Sequence, residues 1–346
     1  MESIKQRNEI FKKKVARRNI TILGACILLL ILSFVISMNT GYIKLSPEDT
    51  LRTLFGGGSH KENLILFKFR LPRIVVSILV GAGLALSGCI IQGISRNPLS
   101  DPGLLGINGG AGLMVIVYVM FFGANSFMSV FTLPFLALVG GGVTAVLIYL
   151  LAYKKGEGLA PLRLILTGIA MQAGISALTT VLVLTLDDAQ FDFVANWQGG
   201  SIWASNWNFV MALLPWIMVL VPYTVMKSSV LDILSLGDEL AYGLGSEVER
   251  ERKLLLGAAV ALAASSVAVS GSIGFVGLIA PHLARRLVGP KHKILLPICA
   301  LIGAVLVSIS DTIAKLIAQP SGIPTGIVVA VVGAPYFLYL LSKNKQ

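Results

Sequence analysis

The chain has 346 residues, 55% of them hydrophobic and only 13% charged, about half the charged share of an ordinary soluble domain. Its net charge is +11, but the bases cluster beside apolar stretches as the positive-inside rule requires, so the excess does not point to nucleic acid. No polar block is long enough to fold as a soluble domain. The composition predicts an all-α integral membrane protein with one polytopic domain over 20–341, between a basic cytoplasmic segment, 1–19, and a cytoplasmic tail, 342–346.

In lipid, backbone groups must be satisfied within a helix or a closed barrel. Continuous apolar runs such as Ile22 to Val35 and Val143 to Leu151 lack the alternation of barrel strands and predict helices. The first run follows Lys5, Arg7, Lys12, Lys13, Lys14, Arg17 and Arg18. It is too long for a signal-peptide core and no small-residue cleavage site follows, so it reads as an uncleaved first span. Ten spans fit with both ends inside: roughly 20–38, 72–94, 104–123, 131–152, 163–186, 207–226, 254–270, 274–284, 294–314 and 324–341.

After the first span, Ser46-Pro47-Glu48-Asp49 has the capping-box pattern and predicts a short surface helix from Pro47 to about Phe55. Arg70 and Arg73 flank Pro72 at the outer start of span two, against the positive-inside rule. Interfacial snorkelling would explain them; with Lys315 they would also make a basic rim for an acidic partner. Gly81, Gly83, Ala85, Ser87 and Gly88 line span two for close helix packing, and Asn97-Pro98 ends it. Asp101-Pro102 is expected to cap and start span three. Further small residues follow at Gly106, Gly109, Gly110, Gly112 and Gly140 to Gly142.

Lys154 and Lys155 mark an inside loop after span four, whereas the loop after span five carries Asp187, Asp188 and Asp192 with no Lys or Arg. The inside stretch 231–247 interleaves Leu231, Leu234, Leu236, Leu240 and Leu244 with Asp232, Asp238 and Glu239. That pattern predicts either a solvated loop or a short helix docked on a cytoplasmic protein. Arg250, Arg252 and Lys253 precede span seven, and Arg285, Arg286, Lys291 and Lys293 follow span eight. Span eight is too short to cross unaided; Gly271, Gly274 and Gly277 would let it nest among neighbours. Asp311, near the outer end of span nine, is the only carboxylate within a predicted span, and Lys315 follows one turn later, where the two can pair. Lys343 and Lys345 close the chain on the inside.

Several function classes drop out. Cys26, Cys89 and Cys299 lie inside apolar runs and form no disulfide or metal pattern. His282 beside Pro281 reads as a packing or capping residue, and neither a metalloprotease nor a nucleophile–base spacing occurs. The glycines lack the strand-turn-helix context of a dinucleotide site, and no Gly-Lys-Ser/Thr phosphate loop is present. An ion-coupled secondary transporter would use carboxylates near the bilayer midplane, and none is predicted there.

RLPR at 70–73, GAGLALSGCIIQGISRNPLSDPGLLGINGGAG at 81–112, LSLGDELAYGLG at 234–245, GSIGFVGLIAPHLARRLVG at 271–289 and GIVVAVVGAPYFLYLL at 326–341 together resemble the FecCD-type permeases of ABC importers for iron-siderophores, haem and vitamin B12. The resemblance implies the ten-helix, type II ABC importer permease fold in a bacterial cytoplasmic membrane. It implies a permease homodimer or paralogue heterodimer with the pathway at its interface, two cytoplasmic ATPase subunits that use ATP and Mg, and an extracytoplasmic substrate-binding protein. No cofactor of its own is implied. By the same resemblance Arg70, Arg73 and Lys315 match binding-protein docking positions. Leu234, Gly237, Asp238, Glu239, Leu240, Ala241 and Gly245 match the coupling loop in the ATPase groove, and Asn97, Leu99, Ala160 and Pro161 match the inner constriction. Family members often carry Arg at the place of Lys315 and an acidic residue at the place of Gly322, so the docking rim departs from the pattern. Ferric siderophore is the leading cargo class, with cobalamin and haem behind.

Overall fold

The computed structural model describes residues 2–41, 43, 45–123, 129–154, 158–202, 206–317 and 322–343. A long first helix, α1 (Glu2–Asn39), is followed by α2 (Pro47–Leu54), α3 (His60–Asn63) and a π-helical stretch, Leu64–Arg70, that runs without a break into α4 (Leu71–Ser95). A single 3-10 turn (Pro102–Leu105) precedes α5 (Ile107–Phe122) and α6 (Ser129–Ala152). Two short antiparallel strands, β1 (Tyr153–Lys154) and β2 (Gly158–Leu159), connect to α7 (Pro161–Val183), α8 (Asp188–Gln198) and α9 (Trp207–Met226). The remainder is helical: α10 (Ser228–Ser235), α11 (Asp238–Gly243), α12 (Val248–Ser270), α13 (Val276–Val288), α14 (His292–Ile317) and α15 (Thr325–Lys343).

Among the described residues, seven helical stretches are long and apolar enough to cross a membrane: Lys13–Asn39, His60–Ser95, Thr132–Ala152, Leu162–Val183, Trp207–Met226, Val248–Ser270 and His292–Ile317. The other three expected spans fall on shorter helices, α5, α13 and α15. α1 runs continuously from the basic N-terminal segment into the first apolar stretch. Lys155 and Lys345 lie outside the described residues.

Local chemistry explains most boundaries. Ser46 Oγ accepts from the Asp49 N–H and Pro47 takes the first position of α2, as expected. α4 ends at Ser95 because Arg96 turns left-handed (φ 54) before Asn97-Pro98. The expected start of span three at Asp101-Pro102 is corrected. Asp101 caps only the 3-10 turn, and Gly106 (φ 67) then breaks the chain direction before α5 begins at Ile107. The acidic loop after span five contains α8, closed by a reciprocal Asp187–Gln190 capping box. The expected eighth span starts at Val276, after the non-helical stretch Gly271–Phe275 in which Phe275 itself adopts positive φ.

α4 is the central helix: 78% of its most apolar stretch is buried, against 17% in the corresponding stretches of α1, α7 and α9, whose apolar faces point outward. It packs chiefly on α14, α12 and α13. Two glycine contacts set the spacing. A Cβ on Gly81 or on Gly303 would overlap the other residue's carbonyl oxygen, and a Cβ on Gly88 would overlap Gly277. Such backbone-to-backbone contact is the small-residue packing expected from the sequence.

Gly88→Ala should therefore force α4 from α13 and lower stability by about 3 kcal/mol. Gly274→Ala, where a methyl meets open space, should change little. Thermal melts of the two purified variants check this, and equal melting points would refute the spacing role.

Candidate functional site

α4 and α14 run antiparallel, and both ends of the pair carry polar clusters. At the Arg73 end, Asp311 on α14 is 1% exposed. Arg73 on α4 donates to it through Nε at 3.0 Å and Nη2 at 2.8 Å. Lys315, one turn further along α14, lies 2.8 Å from Oδ2, and Thr325 at the start of α15 donates at 3.0 Å. Lys315 also reaches Ser37 on α1 at 3.3 Å. Arg70, itself buried, donates to the backbone carbonyls of Met38 and Ile43.

This geometry changes the picture of an exposed basic rim. Arg73 and Lys315 come together, but with side chains only 12% and 11% exposed and turned onto Asp311. Arg70 is committed to the end of α1. The Asp311–Lys315 pair expected from one-turn spacing is present. The bond from Arg73 to Asp311 was not expected, although an unexplained outer arginine and an unexplained outer carboxylate were both visible in the sequence.

At the Arg96 end, α10 and α11 form a polar-apolar shelf. Leu231, Leu234 and Ala241 face inward and are fully buried. Leu236, Leu240, Tyr242 and Leu244 face outward, Leu240 at 60% exposure. Gly237, at φ 112, makes the turn between the two helices. Asp238 points back into the protein and accepts from Arg96 at 3.0 Å and Arg252 at 2.6 Å. Asp232 accepts from His292 twice, through the backbone N–H at 2.9 Å and Nδ1 at 2.7 Å. Lys227, just before α10, pairs with Glu251 of α12 at 2.6 Å. Glu239 and Gly245 lie on the solvent side of this shelf, both exposed.

The four residues expected at an inner constriction divide into two groups. Asn97 Oδ1 accepts from the Leu99 N–H at 2.9 Å and stabilises the turn after α4. Pro98 and Leu99 border a small pocket completed by Leu278, Ile279, His282, Tyr336 and Phe337. Ala160 precedes α7 with extended backbone and Pro161 takes its first position. Just beyond Leu99, Asp101 is buried, and burial raises its carboxyl to about 6 against a smaller opposing effect of the Gly103 N–H.

The FecCD transport family model matches residues 29–343. The iron(3+)-hydroxamate import system permease protein FhuG of Bacillus subtilis (strain 168) is 49% identical over 335 residues, covering 96% of this chain and 99% of that protein. The iron-uptake system permease protein FeuC of the same organism is 40% identical, with coverage of 92% and 96%. Among solved structures, a metal-chelate-type ABC transporter in an inward-facing conformation superposes with a TM-score of 0.82 at 33% identity, over 93% of this chain and 99% of that one.

Two measurements test the charged positions. Asp311→Ala leaves Arg73 and Lys315 without their carboxylate and should cost about 3–5 kcal/mol; an unchanged unfolding midpoint would refute the pairing. Asp101 holds its proton more tightly folded than unfolded, so its contribution worsens as pH rises from about 4 to about 6. Asp101→Asn should remove that pH step and gain on the order of 2 kcal/mol above pH 6, seen as a higher melting temperature at pH 7.5 but not at pH 4.

Proposed function

The chain belongs to the FecCD transport family, and from that premise we propose how it works as the membrane permease of an ATP-driven importer of the iron-siderophore type. It pairs with a second copy or a paralogue, and the cargo path lies between the two. All ten expected spans cross the cytoplasmic membrane, with both termini inside. Two ATPase subunits that consume ATP and Mg bind at the Arg96 end, and a binding protein delivers cargo at the Arg73 end. This chain holds no cofactor of its own. Ferric hydroxamate is the first cargo to test, since the FhuG relative is named for it; haem and cobalamin follow.

The shelf of α10 and α11 carries this reading. Leu236, Leu240, Tyr242 and Leu244 expose apolar surface on a segment whose other face is fixed by Asp232, Asp238 and Lys227. An apolar patch on a rigid support is what a permanent protein partner recognises. Asp238 then acts from behind the interface, while Glu239 and Leu240 meet the ATPase. Opposite, Arg73 and Lys315 serve as docking cations in a cluster with two cations for one carboxylate, which leaves a positive charge for an acidic residue of the binding protein. Leu99 and its pocket gate the inner exit, together with Ala160 and Pro161 at the start of α7.

The rival, an ion-coupled transporter, would need an available carboxylate in the membrane. Asp311 is already held by Arg73, Lys315 and Thr325. Proteoliposomes that contain permease, ATPase and binding protein should import ferric hydroxamate only with ATP and without regard to an uncoupler. Leu240→Asp should reduce ATPase co-purification at least tenfold. Collapse of uptake by uncoupler at constant ATP would overturn the reading.

A further inference from the structure

We propose that Arg96, Asp232 and His292 are positioning residues that transmit force between the ATPase shelf and the helix pair α4–α14. The inference rests on the shelf being the ATPase contact and concerns what lies behind it. Three observations carry it.

First, the shelf touches the two core helices through carboxylates rather than through apolar packing alone. Asp238 opens α11 and is gripped by Arg96, which terminates α4, and by Arg252 on α12. Asp232 on α10 both caps the first turn of α14, through the His292 N–H, and holds the His292 ring. Charge-assisted bonds of this kind are short and directional, so a displacement of α10 or α11 is passed to specific points on α4 and α14.

Second, these two points are at the very ends of the helices. Arg96 is the left-handed residue immediately after α4, and His292 is the first residue of α14. Backbone at a helix end moves with the whole rod. Third, the rods cannot slip against each other. Gly81 and Gly303 bring their backbones into contact at mid-length, and Arg73 bonds Asp311 at the far end. A push on the shelf is therefore delivered to the docking end as motion of one body.

The test uses the complete importer in proteoliposomes. Arg96→Asn keeps a residue that tolerates positive φ while it removes the bond to Asp238. Asp232→Asn keeps an acceptor for the His292 N–H while it removes the charge. In both, Arg252 to Asp238 and Lys227 to Glu251 still hold the shelf and its exposed apolar face is unchanged, so ATPase co-purification and basal ATP hydrolysis should stay within twofold of the parent. Stimulation of hydrolysis by loaded binding protein, and cargo imported per ATP, should each fall at least fivefold. Unchanged stimulation and unchanged uptake per ATP in both variants would overturn the proposal. Loss of ATPase co-purification would overturn it too, because it would assign these bonds to assembly. Leu240→Asp separates the two readings: if that variant retained the ATPase, the shelf itself would be misassigned, whatever Arg96 and Asp232 showed.

Discussion

A carboxylate that stays ionised away from water has to be met by cations, and Asp311 is held in that way. Leaving it unpaired would cost several kcal/mol, so Arg73 and Lys315 are drawn to it, and Thr325 supplies a further donor. These partners lie on α4, α14 and α15. One buried charge thereby fixes the relative position of three helices at the end where cargo is proposed to arrive. Arg70 and Lys315 extend the cluster to α1. The rest of the bundle can afford wide apolar faces turned to lipid because its centre is fixed by so specific a contact.

The same economy recurs at the opposite end with the roles exchanged. There the carboxylates, Asp232 and Asp238, sit on the peripheral shelf, and the cations or N–H donors sit on the core helices. Between the two polar ends, α4 and α14 meet backbone to backbone at Gly81 and Gly303, with only the small side chains of Ala85 and Cys299 beside that contact. Close-packed interiors transmit strain instead of absorbing it. In the function proposed above, with separate ATPase subunits driving the permease, work crosses the chain by this property.

The helical membrane class and the places of seven long apolar helices were legible, because length and apolar continuity are local properties. Ser46, Pro47 and Asn97-Pro98 marked boundaries through turn chemistry that needs only neighbouring residues. Asp101-Pro102 misled, since the same capping signal serves a single 3-10 turn as well as a long helix, and Gly106 decides which. Arg73 and Asp311 were each conspicuous as charges out of place. Their bond spans 238 positions and follows only from the antiparallel packing of α4 and α14. Asp238 was noticed for its motif, but whether it faced a partner or its own chain depended on where Arg96 and Arg252 came to rest. His292 gave no signal at all beyond its position at the start of an apolar run.

The π-helical stretch Leu64–Arg70 leads into α4 with Ile65, Leu66 and Arg70 buried and Phe67 and Phe69 exposed. Its wider turns accommodate more residues than an α-helix of the same length would. A deletion of one residue there can be absorbed by reversion to ordinary helical geometry, whereas the same deletion between Arg73 and Gly88 would rotate one part of α4 against the other by about 100° and part Arg73 from Asp311 or Gly88 from Gly277. A one-residue change in chain length is thus absorbed in one short window at the threshold of the central helix.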